Sequence, residues 1–134
     1  MTDAESKVVA GDGYSVANLD DLGEGPGFRK IRKELGVTAF GANAIVLPPA
    51  YTTGSHFHDE QEELYFVHRG EVEFEFGDGS TQRLGPGGLA RVAASTPRRV
   101  RNLSDSEEAV YVVVGGKGGY VGRDGRAAEG ETHR

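Results

Sequence analysis

Residues 71–76 read Glu-Val-Glu-Phe-Glu-Phe, an unbroken two-residue alternation. Successive side chains of a strand point to opposite faces, so Val72, Phe74 and Phe76 fall on one face and Glu71, Glu73 and Glu75 on the other. A helix would scatter both sets around its axis. Only a strand with one face buried and one in water separates them. A slip of one residue would bury three carboxylates, so the register is set by the pattern itself. Gly77-Asp78-Gly79 follows as a hairpin turn, and residues 81–84 return beside it.

Residues 43–47, 64–67 and 110–114 are rich in β-branched and aromatic side chains and read as more buried strands. Gly85-Pro86-Gly87-Gly88 is a loop. Phe28, Ile31 and Leu35 are spaced three and four apart, which fits a short helix and equally a strand. No long amphipathic helix is present. The 134 residues include 21 glycines, where average usage of ~7% gives about 9. Short elements joined by many turns follow, and with them an all-β sandwich or barrel. The length suits one domain. Residues 1–12 are expected to form a flexible arm, 13–116 the domain, and 117–134 a glycine-rich flexible tail with few apolar side chains.

The chain has no cysteine, which excludes disulfides, thiolate catalysis and cysteine-ligated clusters. Its net charge of −6 disfavours nucleic acid and anionic membranes as partners. Arg98-Arg99-Val100-Arg101 therefore reads as a strand with Arg99 and Arg101 in solvent. No targeting segment is visible, and the expected location is cytoplasmic. Gly115-Gly116-Lys117-Gly118-Gly119 lacks the Ser/Thr after Lys of a phosphate loop and reads as turn and tail.

The four histidines are His56, His58, His68 and His133. In a strand, His56 and His58 share a face, so both imidazoles reach one point. Glu63 lies on the next strand, with Tyr65 and Val67 on its own face. Two histidines and one carboxylate are the facial-triad ligand set, suited to iron, manganese, nickel or zinc. The plainer reading is two surface histidines beside the solvated acidic loop Asp59–Glu63. His68 has the opposite parity to Glu63 and should face outward.

From Gly54 to Gly70 the chain reads Gly-Ser-His-Phe-His-Asp-Glu-Gln-Glu-Glu-Leu-Tyr-Phe-Val-His-Arg-Gly. This resembles the first motif of the cupin superfamily: two histidines one residue apart, four residues, a glutamate, six residues, a glycine. Gly54 lies closer to His56 than that pattern asks. The second motif follows with matching spacing at Gly87, Ala93, Ser95, Arg98 and Asn102. It has Ala93 for proline, Ser95 for glycine and Arg98 for the histidine that supplies a fourth metal ligand. Arginine cannot take that role, being protonated at any working pH.

The resemblance, over roughly residues 40–115, implies a double-stranded β-helix barrel and a homodimer. It implies a divalent metal on His56, His58 and Glu63, with Glu62 as the substitute ligand in a tighter loop. The ligand is expected to be a small, anionic molecule, with Arg98, Tyr65 and Asn102 as substrate-binding residues. For Tyr65 packing is the leading role and substrate contact the secondary one. Arg98 has three outcomes: anchoring an anion beside the metal, pairing with Glu63 in the metal's place, or turning to solvent. A cation near a divalent ion requires an anion between them. Two function classes follow. One is a metal-dependent enzyme of dioxygenase or isomerase type; the other is a metal-free, non-catalytic binding barrel.

Overall fold

The computed structural model describes residues 7–128. A small hairpin, β1 (Val9–Gly11) and β2 (Tyr14–Val16), precedes a 3-10 turn at Leu19–Asp21. There follow β3 (Gly27–Arg29), α1 (Ile31–Leu35), β4 (Gly41–Leu47), β5 (His56–His58), β6 (Glu62–Arg69) and β7 (Val72–Phe76). The chain continues through β8 (Thr81–Leu84), β9 (Leu89–Val92), β10 (Arg98–Asn102), β11 (Ala109–Gly116) and β12 (Gly125–Ala127). Two five-stranded antiparallel sheets result, ordered β12-β5-β10-β7-β8 and β3-β4-β11-β6-β9. They face each other as the double-stranded β-helix that the sequence led us to expect. Among the described residues no helix is long and apolar enough to cross a membrane.

The alternation at 71–76 is realised in β7. Val72 and Phe74 are fully buried and Phe76 is half-buried, while Glu71 is exposed and Glu73 and Glu75 are half-exposed. The two glutamates are partly covered because arginines on the flanking strands reach them, Arg83 at 3.9 Å from Glu73 and Arg99 at 3.1 Å from Glu75. Such cross-strand pairs contribute a few tenths of a kcal/mol up to about 1 each. The turn after β7 is closed by Asp78, whose Oδ1 accepts hydrogen bonds from the Ser80 amide and hydroxyl at 2.9 and 2.7 Å, with Gly79 at φ 88°.

The core forms between the sheets from the inward sets of β4, β6, β7, β10 and β11. Leu47, Val67, Val72, Phe74 and Val100 are essentially inaccessible. The Tyr65 ring meets Phe74 edge-on at 5.1 Å and Tyr111 at 5.6 Å. Each such side chain contributes roughly 1.5–3 kcal/mol on burial, so an apolar floor supports the polar groups described below.

Three sequence expectations need adjustment. Phe28, Ile31 and Leu35 are neither one helix nor one strand. Phe28 lies in β3, and Ile31 and Leu35 bound α1, which Gly36 ends at φ 75° with its N–H on the Arg32 carbonyl. Val9–Gly11 of the expected N-terminal arm pairs with β2. The expected tail enters the barrel: Gly125, Arg126 and Ala127 pair with His58, Phe57 and His56. All three β12 residues are exposed, so the strand is held by backbone bonds and the Arg126–Asp59 ion pair and carries no apolar pattern to read. Residues 1–6 and 129–134, with His133, lie outside the described residues.

Candidate metal centre

The strand β5 is three residues long, and its parity does what the sequence implies. His56 and His58 are buried on one face and Phe57 is half-buried on the other. Their rings meet edge-on with centroids 5.1 Å apart. Glu63 comes from β6 in the opposite sheet. His56 Nε2 lies 4.0 Å from Glu63 Oε1, and His58 Nε2 lies 3.3 Å from Glu63 Oε2. All three ligand atoms fall within 4.8 Å of one another, and among the described residues no other such group converges. Neighbouring ligands about 2.0–2.3 Å from one ion stand roughly 3–4 Å apart, so the spacing fits a first-row metal.

The Glu63 carboxylate is fixed from three sides. Tyr65 donates its hydroxyl to Oε1 at 2.7 Å, Gln61 Nε2 donates to Oε2 at 2.9 Å, and Arg98 Nη2 stands 3.5 Å from Oε1. Burial works to raise the Glu63 pKa, but the neighbouring His58 in its protonated form, with Tyr65 and Arg98, outweighs it and holds the carboxyl down at about 2. Burial, together with the charge of Glu63, pushes the Tyr65 phenol well above its ordinary value, so it remains a donor.

His58 is oriented by a residue 66 positions away. Its Nδ1 lies 2.8 Å from Asp124 Oδ1, while Asp124 Oδ2 accepts the backbone N–H groups of Glu60 and Gln61 at 2.9 and 2.8 Å. Burial opposes charge on Asp124, yet those bonds and His58 keep its pKa below the usual range. With Asp124 ionised, the Nδ1 of neutral His58 carries the proton and Nε2 presents its lone pair to the site. That Nε2 is buried and makes no well-angled hydrogen bond, despite its 3.3 Å approach to Glu63. An inward lone pair, a second imidazole and an ionised carboxylate are the donor set a divalent ion requires. Burial works to lower the His58 pKa, but Glu63 and Asp124 outweigh it and the net shift is upward.

Arg98, Tyr65 and Asn102, the expected substrate-binding residues, are all buried and engaged by groups of the protein itself. Arg98 pairs directly across from His56 and points inward, but it is wholly buried. Its guanidinium turns back to the Thr96 carbonyl at 3.0 Å and to Glu63. The anion that must separate Arg98 from an ion is thus Glu63 itself, and no substrate need bridge them. Tyr65 is 2% exposed beneath Glu63 and positions it. Asn102 is 1% exposed, and its amide ties down loops by donating to the Leu47, Pro48 and Glu107 carbonyls and accepting from the Ser104 N–H. Glu62, the substitute ligand, is exposed and paired with Arg91 outside the barrel. His68 faces outward as its parity implies.

The site opens into a cleft of about 400 Å³ whose walls include His58, Glu63, Gln61, Asn43 and Asp124. Lys30, Arg32, Lys33 and Arg123 also line it. The sequence reading missed Gln61, Asp124 and all four cations. The Lys30-Ile31-Arg32-Lys33 run was visible but had no partner in sequence. Asp124 stood in a stretch read as tail. Space for Gln61 depends on Gly115, where a Cβ would come within 2.8 Å of the Gln61 side chain and 2.9 Å of the Glu62 carbonyl.

Several solved structures share this fold. A sugar phosphate isomerase of the cupin superfamily from Silicibacter pomeroyi is 23% identical, with 90% of this chain and 75% of that one covered at a TM-score of 0.61. A double-stranded β-helix protein from Klebsiella pneumoniae is 22% identical, with 68% and 76% covered at 0.60. The DMSP lyase DddQ from Ruegeria pomeroyi is 23% identical, with 71% of this chain covered at 0.60, and the match spans only 46% of the lyase. At such identities the likeness concerns fold alone. No curated protein matches the sequence significantly. The Cupin domain family model matches residues 44–115, over half of the chain and the stretch that holds His56, His58 and Glu63, and the chain therefore belongs to the cupin family.

Proposed function

We propose that this cupin binds a divalent metal ion through His56, His58 and Glu63 and uses it on a small molecule held in the adjoining cleft. The observation that carries this reading is the buried convergence of the three side chains, with His58 Nε2 turned inward by the Asp124 contact at 2.8 Å. When bound, the ion would supply Lewis acidity toward a substrate oxygen or a centre for dioxygen. The chain's own groups do the rest. Tyr65, Gln61 and Arg98 hold Glu63 ionised and in place. Asp124 sets the tautomer of His58. The apolar floor keeps bulk water beneath the site away.

Metal analysis of protein purified without an affinity tag tests this. About one divalent ion per chain is expected, and the His56→Ala/His58→Ala variant should lose it while remaining folded, since the core beneath is apolar. Equal metal content in the double variant overturns the reading.

A second reading has its own observation. The 3.5 Å approach of the fully buried Arg98 to Glu63 is the arrangement expected of a metal-free barrel in which a guanidinium replaces the ion. On that reading the protein binds its ligand without catalysis. Wild type would then take up no metal at neutral pH, whereas Arg98→His would.

A further inference from the structure

We infer that the cleft accepts a small molecule carrying at least two negative charges on carboxylate or phosphate groups, held by Lys30, Arg32, Lys33 and Arg123. This rests on reading the cleft as the place where the ligand binds. The four cations line one cavity in a chain whose net charge is −6. Only two carboxylates share that lining, Glu63 and Asp124, and both are engaged by His58 and by their own donors. Elsewhere on the surface five arginines are neutralised. Arg69, Arg83, Arg91, Arg99 and Arg126 each face an Asp or Glu. Among the described residues, none of the four cleft cations does. They leave the cleft with an uncompensated positive rim, and a concave site of one sign concentrates ligands of the other.

Arg32 is also preorganised. Its guanidinium carbon sits 3.6 Å above the Tyr120 ring centre, and its Nε is buried without a hydrogen-bond partner. Stacking holds the planar fork in place, so less side-chain freedom is lost when it binds a two-oxygen group. Arg123 adopts φ 55°, a left-handed backbone uncommon outside glycine. It directly precedes Asp124, so one turn supplies both an anion-binding cation and the residue that orients His58. Lys30, Arg32 and Lys33 reach the same cleft from the β3–α1 segment. All four lie outside residues 44–115, the stretch that matches the family model. The cavity, about 400 Å³, is in the range of small-molecule sites.

Calorimetric titration of the full chain tests this with three probes: inorganic phosphate, malonate and neutral glucose. Each is run on chelator-treated protein and on protein reloaded with metal, and metal content is measured in parallel. Phosphate or malonate should bind and glucose should not, and the comparison of the two anions identifies the preferred group. Arg32→Ala/Arg123→Ala should weaken the anion at least about tenfold, as loss of charge-assisted contacts requires. Lys30→Ala/Lys33→Ala, which alters only exposed residues, should weaken it in the same direction. Metal content should be unchanged in both variants. Failure of both anions to bind in either metal state overturns the inference. So does binding that both variants leave intact, including malonate that binds only by chelating the metal. Rim-dependent anion binding by protein that takes up no metal supports the inference and removes the metal reading instead.

Discussion

Asp124 Oδ1 stands 2.8 Å from His58 Nδ1, and through that contact the C-terminal strand segment decides which imidazole nitrogen faces Glu63. Asp124→Asn tests the relationship with little change of shape. The amide oxygen can still accept from the Glu60 and Gln61 N–H groups, while its NH2 meets His58 Nδ1 and favours the proton on Nε2. Metal affinity should fall about 10–100-fold with a nearly unchanged thermal melt. Unaltered metal affinity would show that Asp124 serves the loop alone.

The ion-free protein should lose stability as pH rises above neutral. The His58 pKa is raised on folding, so its contribution is complete below about 6.5 and disappears as pH climbs through the folded value. The Glu63 pKa is lowered to about 2, so its contribution is present above its ordinary value near 4.5 and is lost as pH falls through the folded one. Metal affinity should move oppositely to apoprotein stability over the alkaline limb, because the ion displaces the His58 proton. Thermal melts of apoprotein at about pH 5.5 and 8.5, with metal titrations at both, check the pair of slopes. Equal melting temperatures for wild type at the two values, or the same slope in His58→Gln, would sink this account.

Gly115→Ala should cost about 1–3 kcal/mol, the usual range for overpacking. The new methyl meets the Gln61 side chain at 2.8 Å and the immovable Glu62 carbonyl at 2.9 Å. Gln61 then shifts and Glu63 loses a donor, so metal affinity should fall with stability. Gly41→Ala is the control, since its Cβ would meet nothing closer than ordinary contact at 3.5 Å. Urea melts and metal titrations of both variants separate steric cost from position.

Arg98→Ala should destabilise the metal-free protein by about 3–5 kcal/mol, because it leaves a cavity and removes one partner of a buried ion pair. Added divalent metal should recover part of that loss by supplying Glu63 with a cation. Arg98→His places an imidazole beside His56 on the neighbouring strand and should bind metal more tightly than wild type. Denaturant melts with and without metal decide it. An Arg98→Ala variant as stable as wild type would mean that the guanidinium holds nothing in place.

How much of this was legible in the chain depends on what each feature encodes. The Glu-Val-Glu-Phe-Glu-Phe run determined strand, register and buried face together, because period-two parity is a local property of the backbone. The same parity put His56 and His58 on one face and Tyr65 under Glu63. Parity says which face a residue takes, not what it meets there, so the sequence left Arg98 three outcomes and only the barrel selected the approach to Glu63. Asn102 sat at a motif position, yet it bonds loop carbonyls that the sheet order brings beside it. β12 left no apolar trace in the sequence because backbone bonds and the Arg126–Asp59 ion pair hold it while its residues stay exposed. The same strand carries Asp124 to His58 across 66 positions, and no local pattern encodes a contact of that range. Lys30, Arg32, Lys33 and Arg123 were only charges in sequence. The closing of the barrel made them one rim, because convergence of distant segments is set by tertiary packing and not by spacing along the chain.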